Sequence, residues 1–223
     1  MVLVFADHNG GAFKKAAFEV VSYGKKVAEM LSCDCSAVVL GTSDSAGTLG
    51  QYGASKVINV THSALNSFDS QAYTSAIAQV AEKVEAKVII VAHNSSGKSI
   101  TGRLSARLDA AVIGGAKAVP SAANGFVVEK NVFSGKGIAA YQLNTDVKII
   151  SLMGNSIQPE VSGADVSPEI MEIDLEEPKV KVIERKTVSG IVPLPEAELV
   201  VSAGRGVGAV SYTHLTLPTI CSV

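Results

Sequence analysis

The sequence predicts an α/β fold with a parallel sheet, and three observations support this prediction. Strand-like apolar runs alternate with amphipathic helical segments through the first half of the 223 residues, which is the pattern of βαβ units. One run, Lys87–Ala92, is apolar on both faces, as a central strand of a parallel sheet must be. The composition, with 47% hydrophobic and 18% charged residues, is typical of a well-packed α/β domain.

The elements of the first half follow one another in order. A strand over Met1–Ala6 precedes a helix over Lys14–Leu31, in which apolar residues recur at helical spacing and Lys and Glu take the other side. The remaining predicted elements of this half are a strand at Ser36–Leu40, a short helix at Ser45–Tyr52, a strand at Lys56–Val60, a helix at Ser70–Glu85, the central strand Lys87–Ala92 and a helix at Lys98–Leu108.

From Ala111 onward the pattern changes to short β-rich runs punctuated by Gly and Asn, which predicts a meander or hairpins. Asp146–Leu152 is expected to return to the main sheet as its last strand. Asn155–Pro178 is polar and carries prolines and acidic residues, which predicts a surface loop. Lys179–Thr187 alternates Val and Ile with charge, the pattern of an edge strand, and "VSGIVPLPEAE" then predicts an interdomain linker.

Composition and charge exclude several classes of protein. A formal net charge of −2 argues against a nucleic-acid partner, and the sequence has no run of about 18 apolar residues that could cross a membrane. The apolar start lacks the basic leader of a signal peptide. Cys33 and Cys35 have no second ligand pair and Cys221 stands alone, so we expect no zinc site and free thiols in a reducing cytoplasm.

"HNSSGKS" (His93–Ser99) follows the central strand and precedes a helix, which is the context of a phosphate loop. The P-loop pattern needs a glycine five residues before Gly97, and Ala92 stands there. We therefore interpret the segment as a structural strand-to-helix turn. A phosphate site stays an alternative, because ligands bind at the carboxyl ends of parallel strands.

Catalytic residues are not expected in this chain. His8, in the loop Ala6–Gly11 after the first strand, has no evident Asp, His or Cys cluster beside it. Arg103 and Arg107 lie four residues apart and are interpreted as a solvated helix face. Nothing resembles a Ser/His/Asp or Cys/His nucleophile set, and no carboxylate pair stands in a recognisable frame.

Near the carboxyl end, an apolar run beginning at Glu198 leads into Gly204-Arg205-Gly206. Glycines leave the backbone N–H groups unhindered and the guanidinium is a fixed cation, and both suit the pyrophosphate of a dinucleotide. The segment does not complete G-x-G-x-x-G, because Ala209 takes the place of the third glycine.

These segments, taken in their order, resemble the α subunits of electron-transfer flavoproteins over residues 1 to about 208. The segments that carry the resemblance are "VLVFADHNGGAFKKAAFEVVSYGKKVAEML", "YGASKVINV", "HNSSGKSITGRLSARLDAAVIGG", "VFSGKGIA" and "LVVSAGRGVG".

The resemblance implies a Rossmann-like, adenine-nucleotide α-hydrolase-like three-layer domain with an antiparallel meander at 1–188, a linker at 189–197 and the start of an FAD domain at 198–208. It implies FAD contacts at Gly204, Arg205 and Gly206, of which the arginine contacts the flavin cofactor in the family. The family's later flavin-contacting segments have no counterpart here, so this chain is not expected to retain FAD. The first domain is expected to hold no nucleotide.

The resemblance also implies partners and a pathway. A β subunit forms a heterodimer with the α subunit, electrons come from acyl-CoA or other dehydrogenases, as in fatty acid β-oxidation, and a quinone oxidoreductase or another acceptor receives them. The protein would thus be a cytoplasmic electron carrier and not an enzyme. The alternative function is a stand-alone nucleotide-binding α/β domain that uses the loops Ala6–Gly11 and His93–Ser99. Docking of the first domain on the β subunit without any ligand is a third possibility.

The last segment, 209–223, is expected to lie outside the fold. Val210–Thr219 matches one reading frame of a transposon-library sequencing adapter, which predicts an adapter-derived tail on a truncated α subunit. The alternative is a naturally short protein whose last residues add a strand, since "VSYTHLTL" has acceptable β propensity.

Overall fold

A computed structural model describes residues 1–123, 125–178, 180, 182–184, 194, 197 and 199–202. The chain divides into two compact units, Met1–Ser189 and Gly190–Val223. Every α-helix and β-strand among the described residues lies in the first unit.

A nine-stranded sheet forms the centre of the first unit, in the order β11-β5-β4-β1-β6-β10-β7-β8-β9. Its strands are β1 (Val2–Phe5), β4 (Cys35–Leu40), β5 (Lys56–Val60), β6 (Val88–Ala92), β7 (Ala111–Ala116), β8 (Val127–Val132), β9 (Gly137–Gln142), β10 (Lys148–Leu152) and β11 (Glu169–Ile170). All neighbours from β11 to β7 pair in parallel, and β8 and β9 are antiparallel. A separate hairpin joins β2 (His8–Asn9) to β3 (Ala12–Phe13). The predicted parallel α/β fold is confirmed.

Three α-helices cover the two faces of the sheet: α1 (Lys15–Met30), α2 (Ser70–Lys83) and α3 (Ser95–Leu108). Side chains alternate along β1, so that Val2 and Val4 join the core under α1 while Leu3 and Phe5 join the core under α2 and α3. Short 3₁₀ turns occupy Ala46–Tyr52, Ser63–Leu65 and Phe133–Gly135. The arrangement is a three-layer α/β/α sandwich.

The helix predicted at Lys98–Leu108 begins three residues earlier, at Ser95. The cause is Asn94, whose side-chain oxygen accepts the Gly97 N–H at 2.8 Å and caps the first turn. Asp69 does the same for α2, where its carboxylate accepts the Ala72 N–H at 2.8 Å.

The predicted hairpin region and the returning strand are both present. β8 and β9 form an antiparallel ribbon, and β10 enters the main sheet between β6 and β7. Because β6 and β10 run in parallel, the chain segments that follow residues 92 and 152 lie at the same end of the sheet, where the parallel strands have their carboxyl ends.

The prediction of a surface loop over Asn155–Pro178 holds for most of this segment, which is irregular and largely exposed, but the segment also contains the two-residue strand β11, which pairs in parallel with β5 at the sheet edge. We call residues 154–175 the belt. A two-residue strand escapes pattern analysis because alternation needs at least four residues. The strand predicted at Lys179–Thr187 is not seen at Val180 or 182–184, and its other residues lie outside the described part of the chain.

The predicted linker at 189–197, the flavin-domain start at 198–208 and the tail at 209–223 fall almost wholly outside the described residues. Only 194, 197 and 199–202 are described in these spans.

Candidate functional site

The candidate site lies where the strand order of the sheet reverses. From β1 the chain passes through α1 to β4 on one side, and from β5 it passes through α2 to β6 on the other. In open α/β sheets, ligands bind in the crevice outside the carboxyl ends of the strands at this kind of switch point. Here the crevice lies between the loop after β1 and the loop after β6.

Side chains from the two loops meet in the crevice. Asn94, after β6, donates from Nδ2 to Oδ2 of Asp7, after β1, at 3.2 Å. The other side-chain atom of Asn94, Oδ1, accepts the Gly97 N–H. A phosphate at the start of α3 would need such N–H groups and would meet the Asp7 carboxylate. The chain's own polar groups thus hydrogen-bond to one another at this point of the crevice.

Gly97 is required for close packing of the turn. A Cβ built on Gly97 would lie 1.9 Å from the carbonyl oxygen of Ala92. The glycine of "HNSSGKS" thus lets α3 start directly against the end of β6, in agreement with the interpretation of this segment as a strand-to-helix turn. Space for a ligand is not what this glycine provides.

Both ring nitrogens of His8 are engaged by the backbone. Nε2 lies 2.9 Å from the Leu40 carbonyl oxygen, to which it can only donate, and Nδ1 accepts the Gly11 N–H at 3.1 Å. These two bonds hold the β2–β3 hairpin against the end of β4. The role of His8 in this geometry is structural.

A second histidine, His93, makes a contact that the sequence did not predict. Nδ1 of His93 lies 2.6 Å from Oγ of Ser151 in β10, and Ser151 is 1% exposed. Burial, followed by the charges of Lys98 and Lys130, holds the pKa of His93 below its usual value. The pair has the distance of a nucleophile and its base, but the buried hydroxyl cannot reach a substrate. Nothing in the sequence links residues 58 positions apart before the strand order is known.

The predicted cofactor residues Gly204, Arg205 and Gly206 lie outside the described residues. Arg103 and Arg107 lie exposed on α3, in agreement with a solvated helix face. Cys33 and Cys35 are free thiols, and burial raises the pKa of Cys35 to about 12, which makes it a poor nucleophile.

A metal site and a membrane-spanning helix are both absent from the described part of the chain. No group of three or more His, Cys, Asp or Glu side chains there could hold a metal ion. None of its helices combines the length and the apolar character needed to cross a membrane.

The fold is that of a doubly wound, Rossmann-like α/β domain, in which Asp7 and Asn94 hydrogen-bond at the switch point. The chain belongs to the electron transfer flavoprotein domain family, whose model matches residues 2–178.

Curated relatives cover most of the chain. An electron transfer flavoprotein subunit alpha of Mycobacterium leprae (strain TN) is 29% identical over 214 residues, which are 93% of this chain and 65% of the relative. The protein of the same name from Bacillus subtilis (strain 168) is 26% identical over 92% of this chain and 64% of its own length. Protein FixB of Clostridium saccharobutylicum is 26% identical over 93% of this chain and 65% of its own length. The chain thus spans slightly less than two thirds of these relatives.

Proposed function

We propose that this chain acts as the α subunit of an electron-transfer flavoprotein, an electron carrier that works as a heterodimer with a β subunit. The family match over residues 2–178 carries the proposal, since it spans the whole described sheet. As a carrier the protein would catalyse no bond chemistry of its own.

FAD is the cofactor that the proposal requires, and it would supply the reversible electron transfer. The crevice between β1 and β6 suits the pyrophosphate of FAD poorly, because the Asp7 carboxylate, held by Asn94, would repel it. We assign the FAD contacts of this chain to Gly204, Arg205 and Gly206, whose N–H groups and guanidinium suit a pyrophosphate.

The electron partners follow from the proposed family role. Acyl-CoA or other dehydrogenases would donate electrons, and a quinone oxidoreductase or another acceptor would receive them, in the cytoplasm. A formal net charge of −2 is consistent with protein partners and gives no basis for nucleic-acid binding.

Co-expression tests the proposal. The full chain is produced with and without a β subunit from the same organism, and native mass spectrometry measures the assembly while visible absorbance measures bound flavin. We expect a 1:1 heterodimer with the β subunit, and no flavin on the chain produced alone. A chain that stays monomeric beside a folded β subunit contradicts the proposal, and flavin on the isolated chain contradicts the expectation that this chain alone does not retain FAD.

A further inference from the structure

The carboxyl ends of β6, β10 and β7 meet on the opposite side of β6 from Asp7. His93, which directly follows β6, lies there and is half-buried. Its Nδ1 lies 2.6 Å from Oγ of Ser151 in β10, and its main-chain N–H donates to the Leu152 carbonyl oxygen at 2.7 Å. These two contacts hold the imidazole ring beside β10.

One edge of the ring faces a pair of glycines in β7. A Cβ built on Gly114 would lie 3.3 Å from His93 Cε1, and a Cβ built on Gly115 would lie 3.7 Å from His93 Nε2. A side chain at either position would cover the Cε1–Nε2 edge of the ring, which the two glycines leave open. Nε2 makes no hydrogen bond within the described part of the chain, and it is not among the buried atoms that lack a partner there, so water reaches it.

Two lysines from different elements bring positive charge to this ring. Lys98 lies in the first turn of α3, and Lys130 lies in β8. Burial is the main cause of the lowered pKa of His93, and the charges of Lys98 and then Lys130 lower it further. Neither lysine forms an ion pair with a described residue. The Lys130 Nζ lies 5.9 Å from the centre of the Tyr141 ring, a contact that leaves its N–H groups available to an acceptor.

The contact with Ser151 suits both charge states of the ring. A serine hydroxyl can donate to Nδ1 of the neutral ring, and it can accept from Nδ1 when the ring is protonated. With the hydroxyl donating, the proton of the neutral ring lies on Nε2. Nε2 is therefore a hydrogen-bond donor in both of these states.

We propose that the Nε2–H of His93 and the ammonium groups of Lys98 and Lys130 form a binding site for a small, doubly charged oxyanion such as sulfate or phosphate. The bound anion would link α3 to the ribbon of β8 and β9. The site is separate from the crevice between β1 and β6, and it requires neither a flavin nor a β subunit.

The proposal implies a pH dependence with a definite sign. The groups that face the ring are the Ser151 hydroxyl from β10, the glycine pair from β7 and the cations of Lys98 and Lys130, and Asp7 lies across β6. A bound anion stabilises the protonated ring and so raises the pKa of His93. The affinity for the anion must then rise as pH falls, because the coupling between proton and anion is reciprocal.

Nuclear magnetic resonance of the histidine rings in the full chain tests the site. Sulfate is the probe, because it keeps both charges over the range in which histidine titrates. In saturating sulfate, the titration midpoint of His93 should lie about one pH unit higher than in chloride of equal ionic strength, which corresponds to about ten-fold tighter binding to the protonated ring. His62, whose Nδ1 accepts the Ala64 N–H, is the internal control and should not move. The same midpoint for His93 in sulfate and in chloride overturns the site.

A matched pair of variants tests the part played by Lys130. Lys130→Gln removes a charge that acts on His93, and Lys136→Gln removes the same charge from the turn that follows β8. We expect the affinity for sulfate to fall about five-fold in Lys130→Gln and by no more than about two-fold in Lys136→Gln. Equal losses would mean that sulfate responds to the general surface charge, and this result would overturn the site as well.

AMP distinguishes a free oxyanion from a nucleotide as the source of this chemistry. The His93 resonance should respond to AMP no more strongly than to sulfate at the same concentration, because only the phosphoryl group would contact the three donors. A response that saturates at about ten-fold lower concentration of AMP than of sulfate overturns the assignment to a free oxyanion.

Discussion

Two strands of the same sheet, β6 and β9, lie in opposite environments. All five residues of β6 are buried, whereas none of the six residues of β9 is. Ile90 is 0% exposed in β6 and Ile138 is 72% exposed in β9. The same residue type, in the same sheet, is a core residue in one strand and a surface residue in the other.

The difference follows from what covers each strand. Helices cover both faces of β6, as a parallel strand requires. The ribbon of β8 and β9 pairs with the sheet at Ala116 and Lys130, and Val128 is its one strand residue in the core. The parallel centre therefore holds most of the buried apolar side chains, and β9 lies exposed at the end of the sheet.

The largest expected effect comes from making one substitution in both strands. Ile90→Ala should lower the free energy of unfolding by about 2–5 kcal/mol, because it removes buried methylenes and leaves a cavity. Ile138→Ala should change it by no more than about 0.5 kcal/mol, because the side chain is already in water. Urea unfolding of both variants measures the difference. Equal losses would show that the ribbon is part of the core.

A second pair of substitutions tests the turn after β6 against the helix that follows it. Gly97→Ala should destabilise the fold by about 1–3 kcal/mol, because the new Cβ meets the Ala92 carbonyl oxygen. Gly102→Ala, in the same helix with no heavy atom within 4 Å of its Cβ position, should stabilise it by up to about 1 kcal/mol. Thermal unfolding of the two variants should shift in opposite directions, and a shared direction would contradict the packing assigned to Gly97.

A smaller effect on stability distinguishes two carboxylates at the contact between α1 and the belt, the buried Glu19 and the exposed Glu160. Burial raises the pKa of Glu19, against the opposing effects of the Asn155 N–H and Lys15. The folded protein therefore binds a proton at Glu19 more tightly than the unfolded chain does. The stability contributed by protonated Glu19 is present at low pH and is lost as pH rises through the raised pKa. The hydrogen bond and charge of Lys26 lower the pKa of the exposed Glu160, whose contribution is lost only as pH falls through that lowered pKa.

Unfolding at about pH 7 and about pH 5 measures this difference. The unchanged protein should gain stability at the lower pH relative to Glu19→Gln, which has no titrating group at this position. Glu160→Gln is the control and should show the same gain as the unchanged protein. A gain that persists in Glu19→Gln would assign the proton to another group.

The sequence predicted the strands and helices of the first half because apolar periodicity records which face is buried. Lys87–Ala92 illustrates this, since its uninterrupted apolar run became the middle strand of nine. The contact between His93 and Ser151 could not be predicted, because it depends on β10 entering beside β6. β11 could not be predicted either, because main-chain pairing of two residues leaves no pattern in side chains.

The sequence predicted where the candidate site lies, but not which hydrogen bonds its side chains make. Strand-to-helix loops after β1 and β6 mark a switch point in any doubly wound sheet. That Asn94 would hold both Asp7 and the Gly97 N–H required the distances, because asparagine in a loop is equally able to cap a helix or to face a ligand.

Titration of the purified full chain with AMP by isothermal calorimetry tests the central claim, that the crevice between β1 and β6, where Asn94 holds the Asp7 carboxylate, binds no nucleotide. We expect no saturable heat up to about 1 mM AMP, which corresponds to a binding free energy weaker than about 4 kcal/mol. Saturable binding with a Kd near about 10 µM would contradict it, and would favour a nucleotide-binding domain over a subunit that acts through protein contacts.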